Sequence, residues 1–282
     1  MIDGDGTPRL QALGLRHAFH RRRAARPLPV LDGITLAVDA AEFVAVVGPS
    51  GCGKTTLLHV LDGLVAPAEG RVLMDGRPVS APGPDRAIVF QDPALLPWRT
   101  TLGNIAYGLE CLQVPRREAR AVARTWLEAV GLGGFADTYP HELSGGMQQR
   151  VNLARALAVD PAILLMDEPF AALDAQTREA MQADLLRLWA RARKTVVFVT
   201  HLISEALYLA DRVVVLTERP ARVQATLAID LPRPRHDAVR LLPRFRECEA
   251  HVRALLAAGR SAPDAAGAPP RPAERILVEP RA

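Results

Sequence analysis

The fold is decided by the stretch Gly48-Pro49-Ser50-Gly51-Cys52-Gly53-Lys54-Thr55-Thr56, which follows an apolar run at residues 43–47. It matches G-x-x-x-x-G-K-[ST] at every fixed position, a pattern that encodes a nucleotide phosphate-binding loop. Its glycines let backbone N–H groups curl around an anion, and the following helix presents its positive N-terminus to the same phosphates. The stretch therefore predicts a nucleoside triphosphatase; the alternative is a glycine-rich turn without a ligand.

Within this phosphate loop, three side chains have predicted roles. Lys54 places a positive charge beside the β and γ phosphates, and Thr55 is positioned to coordinate Mg²⁺ through its hydroxyl. Thr56 is expected to hydrogen-bond a neighbouring phosphate oxygen, and Cys52 is interpreted as a small residue that fits. The residues predicted to contact the nucleotide here are Gly48, Pro49, Ser50, Gly51, Cys52, Gly53, Lys54, Thr55 and Thr56.

Composition and charge disfavour several classes of protein. The chain has 282 residues, a formal charge of +4 and scattered basic residues, which is typical of solvated charge and not of a nucleic-acid-binding face. No apolar run approaches the ~18 residues that a membrane span needs, and the first residues lack the form of a secretory signal. The three cysteines form neither a metal pattern nor a disulfide framework, which suits a reducing compartment. We expect the chain to stay in the cytosol.

Hydrophobic periodicity predicts alternating strands and helices. Strand signals lie at residues 10–19, 30–38, 42–47, 71–74, 86–90, 162–166, 195–200 and 212–216. Helical signals lie at residues 54–64, 175–191 and 203–210, and from residue 101 to residue 157 the pattern changes to helices. This order predicts an α/β fold with a mainly parallel sheet covered on both faces, interrupted by an α-helical insert at about 92–157.

The C-terminal part has a different pattern. Residues 231–258 are expected to form a helical extension with a kink at Pro243. Its apolar side is formed by Val239, Leu242, Phe245, Val252 and Leu256. Residues 259–282 combine prolines with alanines and charges, which predicts a disordered tail.

A second site element follows the apolar run at residues 163–166. Asp167 ends this predicted strand and can reach the coordination shell of the metal, whereas Glu168 can polarise the attacking water. The alternative interpretation is that these adjacent acids only cap a helix.

Between these motifs lies Leu143-Ser144-Gly145-Gly146-Met147-Gln148-Gln149-Arg150, which closely resembles the signature sequence of ATP-binding cassette (ABC) ATPases. Ser144, Gly145 and Gly146 open a helix whose N–H groups and dipole could bind an anion. In that family the anion is the γ-phosphate held by the phosphate loop of a second subunit. The resemblance therefore implies a head-to-tail homodimer that encloses ATP.

Further positions match the family one at a time. Gln91 resembles the glutamine that touches Mg²⁺ and the attacking water, and His201 resembles the switch histidine that contacts the γ-phosphate. Phe19 resembles the aromatic that stacks on adenine, with a core aromatic as the alternative. Residues 171–174 resemble the loop that signals across the dimer. Leu202 departs from the family, which usually has an acidic residue after the histidine, and this leaves the local hydrogen bonding open.

The resemblance covers about residues 9–230 and implies the ABC ATPase fold, in which an antiparallel β subdomain accompanies the P-loop NTPase core and helical insert. It implies ATP and Mg²⁺, with Thr55, Gln91 and Asp167 at the metal and Glu168, Gln91 and His201 in catalysis. The expected partners are a second copy, two membrane permease subunits and, indirectly, a solute-binding protein, with no nucleic acid. The expected location is peripheral, at the cytoplasmic face of the inner membrane.

Finer similarities point to an importer subfamily. Residues 95–98, 174–182 and 230–235 look like those of importers of the nitrate, sulfonate and taurine group. One alternative is a soluble ABC ATPase that acts on nucleic acid or ribosomes, although the insert is short and contains no zinc pattern. The other alternative is the ATPase subunit of an exporter. None of the residues in these three segments, 95–98, 174–182 and 230–235, would touch the solute.

Overall fold

The computed structural model describes residues 8–19 and 27–259, and the backbone of a short strand at residues 274–275. The described residues form two compact units, the first from those up to residue 82 and from residue 195 onward and the second from residues 83–194. Within the described residues, no helix combines the length and apolar character that crossing a bilayer requires. Residues 20–26, which follow Phe19, lie outside the described part.

The elements follow one another in this order. The strands are β1 (Leu10–Phe19), β2 (Leu28–Val38), β3 (Phe43–Val47), β4 (Glu69–Met74), β5 (Arg77–Pro78), β6 (Arg86–Val89), β7 (Ile163–Asp167), β8 (Thr195–Thr200), β9 (Arg212–Leu216), β10 (Val223–Ala228) and β11 (Glu274–Arg275). The helices are α1 (Lys54–Asp62), α2 (Thr101–Cys111), α3 (Arg116–Ala129), α4 (Gly145–Ala158), α5 (Ala175–Ala192), α6 (Ile203–Leu209) and α7 (Pro243–Ala258). Short 3₁₀ turns lie at Gly133–Phe135, Pro140–Glu142 and Asp237–Leu241.

The first unit contains an antiparallel sheet in the order β2-β1-β4-β5. Leu10, Ala12 and Leu15 of β1 are buried, because alternate side chains of a strand point to the same face and a bulge restores the register after Ala12. This sheet is the antiparallel β subdomain that the family resemblance implied.

The same unit contains the strand that carries the phosphate loop. β3 pairs in parallel with β8 on one side and with β9 on the other, and β10 pairs antiparallel with β9. Every residue of β3 is buried, which explains its uninterrupted apolar sequence. Because parallel strands end at the same edge of a sheet, the residues after Val47 and after Thr200, which are register partners, lie side by side.

The second unit combines a parallel strand pair with helices. β6 pairs with β7, with Val89 opposite Met166, so the segments that lead to Gln91 and Glu168 leave the same sheet edge. Helix α2 packs against α3 and α4, and this group forms the predicted helical insert. The insert begins later than the predicted residue 92, because residues 92–100 form a loop before α2.

Several predicted boundaries are confirmed and others are wrong. The predicted bounds of β1, β8 and β9 are confirmed. Helix α1 ends at Asp62 instead of residue 64, because Gly63 adopts φ +84° and a Cβ there would lie 2.7 Å from the backbone carbon of Ala81. β10 was not predicted.

The C-terminal predictions need two corrections. Pro243 does not kink a helix; it occupies the first position of α7, where the missing N–H costs no intrahelical hydrogen bond. The predicted disorder of residues 259–282 falls outside the described residues except at Gly259 and β11. It is wrong for β11, which pairs in parallel with Leu227 and Ala228 because β10 offers its main-chain groups there.

Candidate functional site

The phosphate loop follows a course that depends on its glycines. Gly51 and Gly53 have φ values of +73° and +123°, a region that residues with a Cβ rarely adopt. A Cβ at Gly53 would lie 2.7 Å from a methyl group of Val30, and one at Gly48 would lie 2.9 Å from Cys52 Sγ. The backbone therefore turns tightly between β3 and α1, a course that can present successive N–H groups to an anion.

Lys54 is the first residue of α1 and is buried, with 5% of its surface exposed. Its Nζ donates to the carbonyl oxygens of Gly48 and Pro49, each at 3.0 Å. The ammonium group thus lies against the loop, at the helix end where the partial charge is positive. Thr55 is exposed and Thr56 is half-buried. This donor set fits the phosphates of a nucleotide and one hydroxyl ligand for Mg²⁺.

His201 follows β8 and is exposed next to the strand that ends in the phosphate loop. The Thr200 hydroxyl donates to Glu205 Oε2 at 2.6 Å and accepts the N–H of Leu202 at 3.0 Å. Glu205 is buried. The family usually has an acidic residue at the position of Leu202. Here Thr200 and Glu205, the acid three positions after Leu202, form the local hydrogen bonds instead.

Phe19 ends β1 in the first unit. Its side chain is 43% exposed and its ring packs edge-to-face against His17, with centroids 4.8 Å apart. An exposed ring can stack on a base, whereas a core aromatic would be buried. The geometry therefore favours the base-stacking interpretation over the core alternative.

In the second unit, Asp167 and Glu168 lie at the end of β7. Asp167 is buried, whereas Glu168 is half-buried and has φ +44°. This left-handed conformation is costly for a residue with a side chain, and Pro169 restricts the backbone further. Sequence reasoning identified both acids but not this strain, which is typical of residues held in place for function.

Gln91 is exposed in the loop after β6. Helix α4 holds that loop: Asn152 Nδ2 donates to Phe90 O at 3.3 Å, and Arg155 donates to Pro93 O at 2.8 Å and Ala94 O at 3.0 Å. Burial lowers the pKa of Arg155. These contacts link α4, the signature helix that begins directly after Ser144, to the loop after β6 that carries Gln91. Nothing local in the sequence indicated them.

Ser144 caps α4, with its Oγ accepting the N–H of Met147 at 3.3 Å. Within the described part of the chain, the N–H groups of Gly145 and Gly146 donate no hydrogen bond. A Cβ at Gly146 would lie 2.7 Å from Thr177 Cγ2, so a larger residue would displace this neighbour. The start of α4 therefore offers a surface whose N–H groups could bind an anion.

Asp174, the last residue of the predicted signalling loop, caps α5. Its Oδ1 accepts the N–H of Thr177 at 3.0 Å, and this hydrogen bond lowers the pKa of the Asp174 carboxyl. At neutral pH the carboxylate is therefore ionised, as the positive helix N-terminus favours.

The phosphate loop, Phe19 and His201 thus belong to the first unit, whereas Gln91, Asp167, Glu168 and the signature residues belong to the second. Residues 31–171 match the family model described as ABC transporter. The chain belongs to the ABC transporter family. The cassette accordingly has the ABC ATPase fold, binds ATP and hydrolyses it.

Two relatives are similar to the chain over most of their own length. An uncharacterized ABC transporter ATP-binding protein of Methanocaldococcus jannaschii is 58% identical over 205 residues, which cover 73% of the cassette and 77% of that protein. A taurine import ATP-binding protein of Pseudomonas entomophila is 49% identical over 229 residues, which cover 79% and 88% of the two chains.

Two solved structures extend the comparison. One is a dimeric ATP-binding cassette in a post-hydrolysis state bound to ADP and Pi, with a TM-score of 0.68, 31% identity and coverage of 78% of this chain and 98% of that one. The other, from Clostridium perfringens, is part of an ABC transporter complex and has a TM-score of 0.70, 25% identity and coverage of 86% and 93%.

Proposed function

We propose that the cassette is the ATP-hydrolysing subunit of an importer of the nitrate, sulfonate and taurine group. The observation that carries this proposal is the 49% identity to a taurine import ATP-binding protein over 88% of its length. The similarity of residues 95–98, 174–182 and 230–235 to that group supports it. Import would use two membrane permease subunits and a solute-binding protein, with the cassette at the cytoplasmic face of the inner membrane.

The proposed chemistry is hydrolysis of ATP between two copies arranged head to tail. Lys54 and the phosphate-loop N–H groups hold the phosphates, Phe19 stacks on adenine, and Glu168 orients the water with help from His201. Thr55, Gln91 and Asp167 would hold Mg²⁺, which neutralises phosphate charge when bound. Ser144, Gly145 and Gly146 of the second copy would bind the γ-phosphate, so ATP joins the copies and hydrolysis releases them.

An exposed tryptophan supports docking to a membrane subunit. Trp98 is 71% exposed, in the loop before α2. Asn104 fixes that loop: its Oδ1 accepts Leu96 N–H at 2.7 Å, and its Nδ2 donates to the carbonyl oxygens of Leu96, Arg99 and Thr100 at 3.0–3.1 Å. An aromatic side chain presented on a rigid loop is typical of an interface anchor. We therefore assign the permease contact to the Trp98 loop, beside Gln91 in sequence.

The test is reconstitution of the cassette with the permease that co-purifies with it and the associated solute-binding protein. ATP-dependent uptake of taurine, an alkanesulfonate or nitrate into vesicles would support the proposal, and Trp98→Ala should reduce co-purification of the permease. Phe135→Ala, which removes another exposed ring of the same unit, is the matched control. ATP-driven efflux, or activity stimulated by nucleic acid in place of the permease, would overturn the proposal.

A further inference from the structure

Two arginines of the C-terminal extension bind the end of helix α6. The last four carbonyl groups of a helix have no partner within the helix. Arg235 donates from Nη1 to the carbonyl oxygens of Leu207 and Tyr208 at 3.1 and 3.3 Å, and Arg233 donates from Nη2 to that of Leu209 at 2.8 Å. The two guanidinium groups therefore satisfy the final turn of α6, where the helix dipole also favours positive charge.

Arg235 is buried, which is unusual for a cationic side chain, and only 5% of its surface is exposed. It also donates to the carbonyl oxygens of Ala210 at 2.6 Å and Ile229 at 3.4 Å. Burial, aided by the charge of Arg233, lowers its pKa to about 10, so the side chain remains charged at neutral pH. A buried charge of this kind is tolerated because several carbonyl oxygens surround it.

The rest of the extension packs on the same helix. The guanidinium of Arg240 lies 3.9 Å from the centre of the Tyr208 ring, which is 1% exposed. Helix α7 contacts α6 and buries Phe245, Cys248 and Val252. Residues 231–258 are therefore an ordered support behind α6.

The opposite end of α6 leads directly to His201. The helix begins at Ile203, and its buried Glu205 accepts the Thr200 hydroxyl at the end of β8. A helix of only seven residues thus joins the arginine contacts to the switch histidine. Any displacement of α6 along its axis would move the backbone that carries His201.

We propose that Arg233 and Arg235 are positioning residues for catalysis. They hold α6 at the position along its axis from which His201 can contact the γ-phosphate. The inference rests on the switch role proposed for His201. It assigns a function to residues 231–235, which lie outside the nucleotide motifs. The segment would act through the histidine and would not touch ATP.

The test is a double-mutant cycle between Arg235→Gln and His201→Ala in the full chain. Arg235→Gln should lower kcat for ATP hydrolysis by about tenfold, because small displacements of a catalytic group have large effects on rate. The Kd for ADP should stay at the parent value, since ADP has no γ-phosphate. In the His201→Ala background, Arg235→Gln should change kcat by less than about twofold.

Arg253→Gln is the matched control, since Arg253 forms an exposed pair with Glu249 on α7 at 2.9 Å and should leave kcat unchanged. Arg235→Lys should recover part of the lost rate, because it restores the cation but not the multiple hydrogen bonds. If Arg235→Gln fails to fold, the same cycle with the more exposed Arg233→Gln decides the question.

The outcomes separate the two proposals. A His201→Ala variant with parental turnover would overturn the proposed switch role. If His201→Ala is impaired while Arg235→Gln keeps parental kcat, or if the two losses multiply, the positioning role is overturned. If Arg235→Gln weakens ADP binding by the same factor as it lowers kcat, the arginines have only a structural role and the positioning role is overturned.

Discussion

Asn152 of helix α4 donates a hydrogen bond to the carbonyl oxygen of Phe90, 3.3 Å away, and thereby joins the signature helix to the loop that carries Gln91. Arg155 extends this link by donating to Asn152 Oδ1 at 2.9 Å and to the loop carbonyls. The signature helix therefore has a direct contact with the segment whose Gln91 is proposed to lie at the metal and the attacking water. In the proposed dimer, movement of α4 on closure would be transmitted to the Gln91 loop through these bonds.

Asn152→Leu should destabilise the cassette by about 1–3 kcal/mol, because it removes the part-buried hydrogen bonds that Asn152 makes to Phe90 O and Arg155. Urea unfolding monitored by circular dichroism measures this change. Thr125→Val is the control, since that exposed hydroxyl donates to Ala121 O within its own helix and should shift stability by less than about 0.5 kcal/mol. Equal stability of Asn152→Leu and the parent would show that the link contributes nothing.

Glu168→Gln should bind ATP normally and lose turnover, because the amide preserves the shape of the side chain but cannot orient and polarise water. The variant should accumulate as an ATP-bound dimer, which size-exclusion chromatography with ATP detects. Near-parental hydrolysis would refute the assigned role.

The backbone of Glu168 allows an independent test of strain. At φ +44°, Glu168→Gly should be more stable than Glu168→Ala by about 1 kcal/mol, although glycine normally lowers stability. Both variants lack the carboxylate, so the comparison isolates the backbone. The opposite order of urea midpoints would show that the left-handed conformation is absent in solution.

Lys54→Ala should fail at an earlier step than Glu168→Gln, because it removes the cation beside the β and γ phosphates. Titration with a fluorescent ATP analogue should show much weaker binding for Lys54→Ala and parental binding for Glu168→Gln. If Lys54→Ala bound ATP as tightly as the parent, the phosphate-loop assignment would fail.

The Asp174 cap predicts a pH dependence. Because its folded pKa lies below the unfolded value, the charged cap stabilises the fold above the unfolded pKa, and this contribution is lost as pH falls through the folded pKa. At neutral pH, Asp174→Ala should lower the urea midpoint more than Asp174→Asn, which can still cap α5. As pH falls through the folded pKa of Asp174, the difference in urea midpoint between the parent and Asp174→Asn should shrink. A difference that stays constant as pH falls would contradict the mechanism.

Local sequence predicted those features whose cause is local. The apolar run of β3 and the glycines of the phosphate loop predicted a strand, a turn and a helix, because burial on both faces and positive φ values leave few alternatives. The early end of α1 was missed, because it depends on the close approach of Gly63 to Ala81, which is remote in sequence.

The remaining features depend on tertiary contacts. Arg235 looks like any surface arginine until the chain brings it to the end of α6, and Asn152 looks like an ordinary helical residue until it meets Phe90. Pro243 predicted a kink because the start of α7 could not be placed from periodicity alone. Positioning residues are thus harder to predict than ligand-binding motifs, since their partners are distant in sequence.

In the proposed dimer each copy completes the site of the other, and mixing two defective variants tests this most directly. Ser144→Arg should block closure by placing bulk and charge where the opposite γ-phosphate docks, while each monomer still binds ATP. In a mixed dimer with Lys54→Ala, both defects fall in one composite site and the other site contains only intact parts. ATP-dependent dimerisation, measured by analytical ultracentrifugation, should therefore recover partly relative to either variant alone. No recovery, together with loss of ATP binding by the Ser144→Arg monomer, would contradict the head-to-tail account.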